Sequence, residues 1–270
     1  MFWKRVISAI VFASIVISVI HLGGLWGFLA LVSIAVILST IEFSGFIPYQ
    51  KNRLLNIIAI PLNCLLCLSA IKSEFINTNL ILCIAIMLLF LFVIIRRKPD
   101  SALLFVSASI LGVFYVGWLF GYHLVLLRQM PSGRELIYLL MGITWVGDIA
   151  AYLVGKQFGK HKVIPSISPK KSLEGYIAGV LFGVVVSIAL CYLLRLDIAL
   201  HHAIILGVVL TIIGQIGDLA ESIMKRSAGL KDSGKIMPGH GGMLDRCDSM
   251  IFITPALYYY ALYILKLAGD

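Results

Sequence analysis

Asn79-Leu-Ile-Leu-Cys-Ile-Ala-Ile-Met-Leu-Leu-Phe-Leu-Phe-Val-Ile-Ile95 runs for 17 residues without a charge, and Arg96-Arg-Lys98 follows at once. A helix needs about 20 apolar residues to cross the hydrocarbon of a bilayer. Inside lipid only a helix satisfies every backbone group within one segment. The basic cluster at the end of the run marks the cytosolic side, where short loops collect Lys and Arg.

The same reading extends outward in both directions. Comparable runs lie at 6–22, 25–46, 55–71, 102–127, 136–154, 175–194, 198–224 and 248–267, nine in all with 79–95. Hydrophobic residues make up 60% of the 270 positions and charged ones 13%, with a mean hydropathy of +1.02. An ordinary soluble domain is excluded. The expected fold is an all-α polytopic membrane protein of about nine transmembrane helices. The runs 25–46, 102–127 and 198–224 exceed what a span needs, so tilt or extension into the cytosol is expected there. Met1-Phe-Trp-Lys-Arg5 is a basic start, but no small-x-small cleavage pattern follows, and the first run reads as a retained helix rather than a signal peptide.

Nine spans with a cytosolic N-terminus put 17 of the 22 Lys and Arg residues on the cytosolic side and 5 on the other. That asymmetry sets the orientation and accounts for most of the formal charge of +9. Nucleic acid is not an expected partner, because the cations alternate with spans instead of forming one arm or patch. Cys64 and Cys67 have redox spacing but lie in an apolar helix, where packing is the expected role. His201-His202 reads as an interfacial pair.

Residues 1–135 hold about five spans and few polar groups within them. Residues 136–270 read as the catalytic region, with cytosolic loops 155–174 and 225–247. An acidic residue within a span costs roughly 2.5–3.5 kcal/mol on insertion scales, so Asp148, Asp218, Glu221, Asp248 and Glu42, all near cytosolic ends, are informative. Glu42 reads as an isolated capping or snorkelling group. For Asp148, Asp218, Asp245 and Asp248 a shared site explains more. Asp218 and Glu221 are three apart, Asp218 and Ser222 four apart, and Lys225 continues the stripe. Asp245 and Asp248 are again three apart. Three carboxylates from two helices around one cation suit Mg²⁺, which takes oxygen ligands and bridges phosphates; no Cys/His spacing resembles a zinc site.

Between those carboxylates, Lys225, Arg226, Lys231 and Arg246 are phosphate-binding cations, Arg as a planar fork and Lys as a point charge. Gly239, Gly241 and Gly242 let backbone N–H groups approach an anion. In the other loop Lys170, Lys171 and Ser172 are further phosphate-compatible donors, while Gly155-Lys-Gln-Phe-Gly-Lys160 misses the spacing of a nucleotide-binding P-loop.

The chain Ser222-x-Met224-Lys-Arg226, Lys231-Asp232, Pro238-x-His240-Gly-Gly242, Asp245-Arg246-x-Asp248 resembles the signature of the phosphatidate cytidylyltransferases, or CDP-diacylglycerol synthases. Asp148-x-x-Ala-Tyr152, Phe158-Gly-Lys160 and Ser168-Pro-Lys-Lys-Ser-x-Glu-Gly175 resemble that family too, and Cys247 replaces a larger aliphatic residue. The resemblance implies transfer of a cytidylyl group from CTP to phosphatidic acid, giving CDP-diacylglycerol and pyrophosphate for phospholipid synthesis. It implies Asp218, Lys225, Arg226, Asp245, Arg246 and Asp248 as catalytic residues. Ser222, Lys231, His240, Gly241, Gly242, Lys170, Lys171 and Ser172 would bind substrate, and Asp218, Asp245 and Asp248 would hold Mg²⁺ with Asp148 as a further candidate ligand. A second cation, a homodimer, and a place in the plasma (inner) membrane with the active site facing the cytoplasm are further implications. The Asp-Gly-x-x-Ala-Arg pattern of the CDP-alcohol phosphotransferases is absent. A transporter would carry midplane charges in two matching halves, and neither is present.

Overall fold

The computed structural model describes residues 2–47, 53–72, 75–96, 102–234, 236 and 241–267. Among them each of the nine apolar runs is largely helical, and Lys162 and Ser172 form an isolated antiparallel bridge. The contacts divide the chain into two units, residues 1–129 with 227–247, and 130–226 with 248–270.

The first unit contains α1 (Phe2–Leu22), α2 (Gly24–Ser44), α3 (Arg53–Ser69), α4 (Thr78–Arg96) and α5 (Ala102–Gln129). Two glycines make the break between α1 and α2. Gly24 has φ of +58°, and a Cβ on Gly23 would lie 2.6 Å from the Val19 carbonyl oxygen, so no larger residue fits this turn without strain. Within α5, residues Val113–Tyr122 widen into a π-helix. The buried Asn63 of α3 reaches into that segment, against Gly117 where a Cβ would collide with its Oδ1, and donates from Nδ2 to Thr40 Oγ1 of α2 at 2.9 Å. A polar side chain joining three apolar helices is a means of association available within lipid, where the hydrophobic effect between helices is absent. Gln129, at the end of α5, closes the α3 terminus by donating to the Ala70 carbonyl at 2.8 Å.

The second unit contains α6 (Gly133–Phe158), α7 (Leu173–Leu193), α8 (Leu200–Ser227) and α9 (Leu244–Tyr259) from Asp248 onward, continued by a π turn at Tyr260–Ile264. Small residues let α6, α7 and α8 approach closely. A Cβ on Gly207 would meet the Val184 Cα at 2.5 Å and the Gly183 carbonyl oxygen at 2.9 Å, backbone against backbone. Ser187 Oγ donates to the Ala203 carbonyl at 2.7 Å, and Gln215 Nε2 to the Tyr176 carbonyl at 3.0 Å, both across α7 and α8.

Six helices among the described residues are long and apolar enough to cross a bilayer: Gly24–Ser44, Thr78–Ile95, Ala102–Gln129, Gly133–Phe158, Leu173–Leu193 and Leu200–Ser227. The structure thus gives an all-helical chain with six such spans where composition led to nine. The apolar parts of α1 and α3 are shorter, Ile10–Leu22 and Asn56–Ser69. The ninth run is entered through Asp245, Arg246 and Asp248, which take up the first turns of α9.

Candidate active site

In the second unit the charged residues of three helices and one loop gather around the cytosolic end predicted from sequence. α8 presents Asp218, Glu221, Ser222 and Lys225 in successive turns; Glu221 is fully buried and Ser222 and Lys225 are 8% exposed. Lys225 pairs with Glu221 one turn back along the helix. Lys171, from the loop ahead of α7, pairs with Asp218. Asp248 is partly buried in α9 and lies within the fields of Asp218, Glu221 and Asp148, in that order of strength. Tyr176 of α7 stands close enough to Asp218 and Asp148 to be acted on by both. Gly217 allows the approach: a Cβ there would lie 2.9 Å from the Asp248 carbonyl oxygen.

The connection between α6 and α7, residues 159–172, is organised around Ser172. Its hydroxyl caps α7 by accepting from the Gly175 N–H at 3.3 Å, and the residue is buried. Gly159 packs against it so tightly that a Cβ would collide with Ser172 Oγ, and a Cβ on Gly155 would stand 3.1 Å from the same atom. Ser172 is therefore a capping residue that sets the direction of Lys171, while Lys170 next to it is exposed. Arg226 is exposed at the end of α8 and donates from Nε to the Ile167 carbonyl at 3.3 Å, tying this loop to the helix. Beside the cluster an open groove of about 310 Å³ is lined by Leu173, Tyr176, Ile177, Val180, Leu181 and Gln215.

Formally, Asp148, Asp218, Glu221 and Asp248 set four negative charges against the two lysines. The excess of two, carried only by oxygen donors, matches the charge and the ligand preference of a hard divalent cation. Among the described residues no three His, Cys, Asp or Glu side chains form a ready-made metal cage, in keeping with the turning of Asp218 and Glu221 toward their lysines. The donor set fits Mg²⁺ in type and charge, and its ligands would have to exchange lysine for metal.

The remaining predicted residues belong to the first unit. Asp245 Oδ2 accepts from the backbone N–H of Ser233 at 3.0 Å, the Ser233 hydroxyl at 2.9 Å and the Gly242 N–H at 2.8 Å. Asp245 thus ties Ser233 and Gly242 to the start of α9. The boundary between the units falls between Asp245 and Asp248. Gly241 has φ of +82° and no room for a Cβ, which would lie 2.6 Å from Asp245 Oδ2. Lys231 and Arg246 are exposed, and His240 lies outside the described residues.

Two acidic residues carry more than sequence reasoning assigned. Glu221 was visible as an acid three residues past Asp218 and four before Lys225, the spacing of a helical ion pair. Glu42 is not an isolated snorkelling group. It is 6% exposed and accepts from the Met243 N–H at 3.0 Å, the Leu244 N–H at 2.8 Å and the Ser233 hydroxyl at 3.0 Å. Its signal was an acid placed three residues from the C-terminal end of an apolar helix, where the helix dipole disfavours negative charge.

An all-helical chain with several membrane-length helices has the character of a membrane protein. The cytidylyltransferase family matches over residues 3–264, and the chain belongs to that family. It is similar to the phosphatidate cytidylyltransferase of Synechocystis sp., 30% identical with 99% of each chain covered. It is also similar to the proteins of that name from Staphylococcus aureus, 42% identical over 58% of each chain, and Bacillus subtilis, 38% identical over 55% of each.

Proposed function

We propose that this chain transfers the cytidylyl group of CTP to phosphatidic acid, giving CDP-diacylglycerol and pyrophosphate for phospholipid synthesis. The observation that carries the reading is the cluster of Asp148, Asp218, Glu221 and Asp248 with Lys171 and Lys225, in a family of cytidylyltransferases. A phosphate monoester is itself a nucleophile, so no serine–histidine pair is required. One lipid phosphate oxygen forms a bond to the α-phosphorus of CTP, the bond from that phosphorus to the β-phosphate bridging oxygen breaks, and pyrophosphate departs with the electron pair. Two polyanions must meet for this to happen, and their repulsion is the barrier the cations lower. Lys171 and Lys225 face the carboxylates and can turn to phosphate oxygens; Arg226 presents a fork for the same purpose. Asp218, Asp245 and Asp248, with Asp148 as a further candidate, would hold Mg²⁺, which neutralises phosphate charge when bound. Lys231, Arg246 and the N–H groups around Gly241 and Gly242, with His240, serve the nucleotide phosphates in this reading.

The apolar groove beside Tyr176 offers a surface of the right character for the lipid. The finer topology belongs to the same proposal: nine spans, a cytosolic N-terminus, and the site at the cytoplasmic face of the plasma (inner) membrane, supported by the distribution of Lys and Arg. A homodimer and a second cation rest on the family resemblance.

Purified protein given CTP and phosphatidate is expected to release pyrophosphate only when both are present. A chelator abolishes the release, and Mg²⁺ or Mn²⁺ restores it better than Ca²⁺, whose looser oxygen shell suits in-line transfer poorly. Release that survives chelation, or needs no lipid, contradicts the proposal.

A further inference from the structure

We propose that Glu42, from the half of the chain with few polar groups in its spans, is a positioning residue that holds Ser233–Gly234 and Gly241–Leu244 in the arrangement that receives the CTP phosphates. The inference rests on the function proposed above.

Glu42 is poorly placed for its own helix. It lies in the last turn of α2, where the orphan carbonyls already make the end negative. It is nonetheless almost wholly buried, and a buried carboxylate persists only where donors meet it. The donors are supplied at the other end of the sequence. Met243, just ahead of α9, and Leu244, its first residue, give it their N–H groups at 3.0 and 2.8 Å, groups that have no carbonyl partner within the helix. The Ser233 hydroxyl stands between two carboxylates, 3.0 Å from Glu42 Oε2 and 2.9 Å from Asp245 Oδ2. Glu42 therefore grips both ends of the loop, at residue 233 and at residues 243–244.

Gly234 and Gly242 close around this side chain. A Cβ on Gly234 would collide with Glu42 Oε1, with the Glu42 Cδ and Cγ as its next neighbours at 2.7 and 3.0 Å. A Cβ on Gly242 would collide with Glu42 Oε2 and with Ser233 Oγ. Two glycines thus form a cradle that fits a carboxylate and nothing bulkier. The segment so held contains the Gly241-Gly242 turn and leads into Arg246.

A carboxylate has only acceptors. In Glu42→Gln either orientation of the amide presents its NH₂ to a backbone N–H, that of Met243 or of Leu244, and the grip loosens without a change of volume. A loop that is competent for a fraction f of the time weakens nucleotide binding by 1/f. The expected result is a KM for CTP raised about tenfold, corresponding to an f of about 0.1, with the KM for phosphatidate unchanged. Equilibrium dialysis with labelled CTP should show the same rise in Kd. A residue that only stabilises the fold would instead lower the active fraction, reducing kcat with both KM values intact. Gly234→Ala pushes on Glu42 from the opposite side and should raise the CTP constants alike. Adding Glu42→Asp, one methylene shorter, should recover part of that loss, a rescue that misfolding would not give.

An unchanged KM and Kd for CTP in Glu42→Gln, or an equal rise for both substrates, overturns the inference. If the wild-type protein binds CTP but transfers nothing to phosphatidate, the functional reading fails while the Kd comparison still decides the role of Glu42. Absence of CTP binding in the wild type overturns both.

Discussion

Asp248→Asn is expected to lower kcat by about 10²–10³-fold, the range seen when one preorganised electrostatic contact to a reacting centre is removed, while the melting temperature stays level or rises. The sign of the second effect is the informative part. Asp248 is acted on by three other carboxylates, and like charges held near one another in a partly buried place oppose folding. The amide keeps the size of the side chain and removes one of the repelling charges, so the folded state gains where catalysis loses. Steady-state kinetics and thermal unfolding in the same detergent check the two together. Asp197→Asn, at an exposed residue of the α7–α8 connection, is the matched control and should change neither. A fall in both activity and melting temperature for Asp248→Asn would make the residue structural.

Lys225→Met is expected to be the most damaging substitution to the fold. The Lys225 side chain is 10% exposed and that of Glu221 not at all. Removing the ammonium leaves the Glu221 carboxylate facing Asp248 with less compensation, and breaking such a pair from one side costs about 3–5 kcal/mol. The single variant should therefore show a large fall in melting temperature and little recoverable protein. Replacing both partners is a different experiment, because a well-packed neutral pair costs little. Glu221→Gln with Lys225→Met should recover most of the stability. If Lys225 also turns to substrate phosphates, the recovered protein should remain inactive. A double variant as unstable as the single one would show that the pair is not what holds this part of α8.

The helices were legible because nothing else in the sequence competes with them. An apolar run such as 79–95 allows one solution in lipid, and each of the nine runs is largely helical where the structure describes it. The number of spans was less legible. Asp245, Arg246 and Asp248 occupy the start of α9, and the apolar stretches of α1 and α3 are short, so the same runs read by length and composition give six. Part of the site was legible for a local reason: Asp218, Glu221, Ser222 and Lys225 share one helix, and helical spacing alone brings them onto neighbouring turns.

What spacing cannot show is contact between distant segments. Asp245 and Asp248 look equivalent at three residues apart, yet Asp245 turns back to Ser233 and Gly242 while Asp248 answers to Asp218, Glu221 and Asp148. Lys171 is paired with Asp218 across 47 positions. Glu42 meets Met243 across 201 positions, and only its conflict with the dipole of its own helix hinted that a partner lay elsewhere.

In the proposed reaction the bond broken lies between the α- and β-phosphates of CTP, and the lipid keeps the α-phosphorus. Parallel reactions with CTP labelled in the α- or the γ-phosphate, each with phosphatidate and Mg²⁺, test it most directly. The α-label is expected in the lipid, in step with the γ-label in pyrophosphate, and neither transfer should occur in Asp248→Asn at more than a small fraction of the wild-type rate. Label from the γ-phosphate in the lipid would mean phosphoryl transfer, and would contradict it.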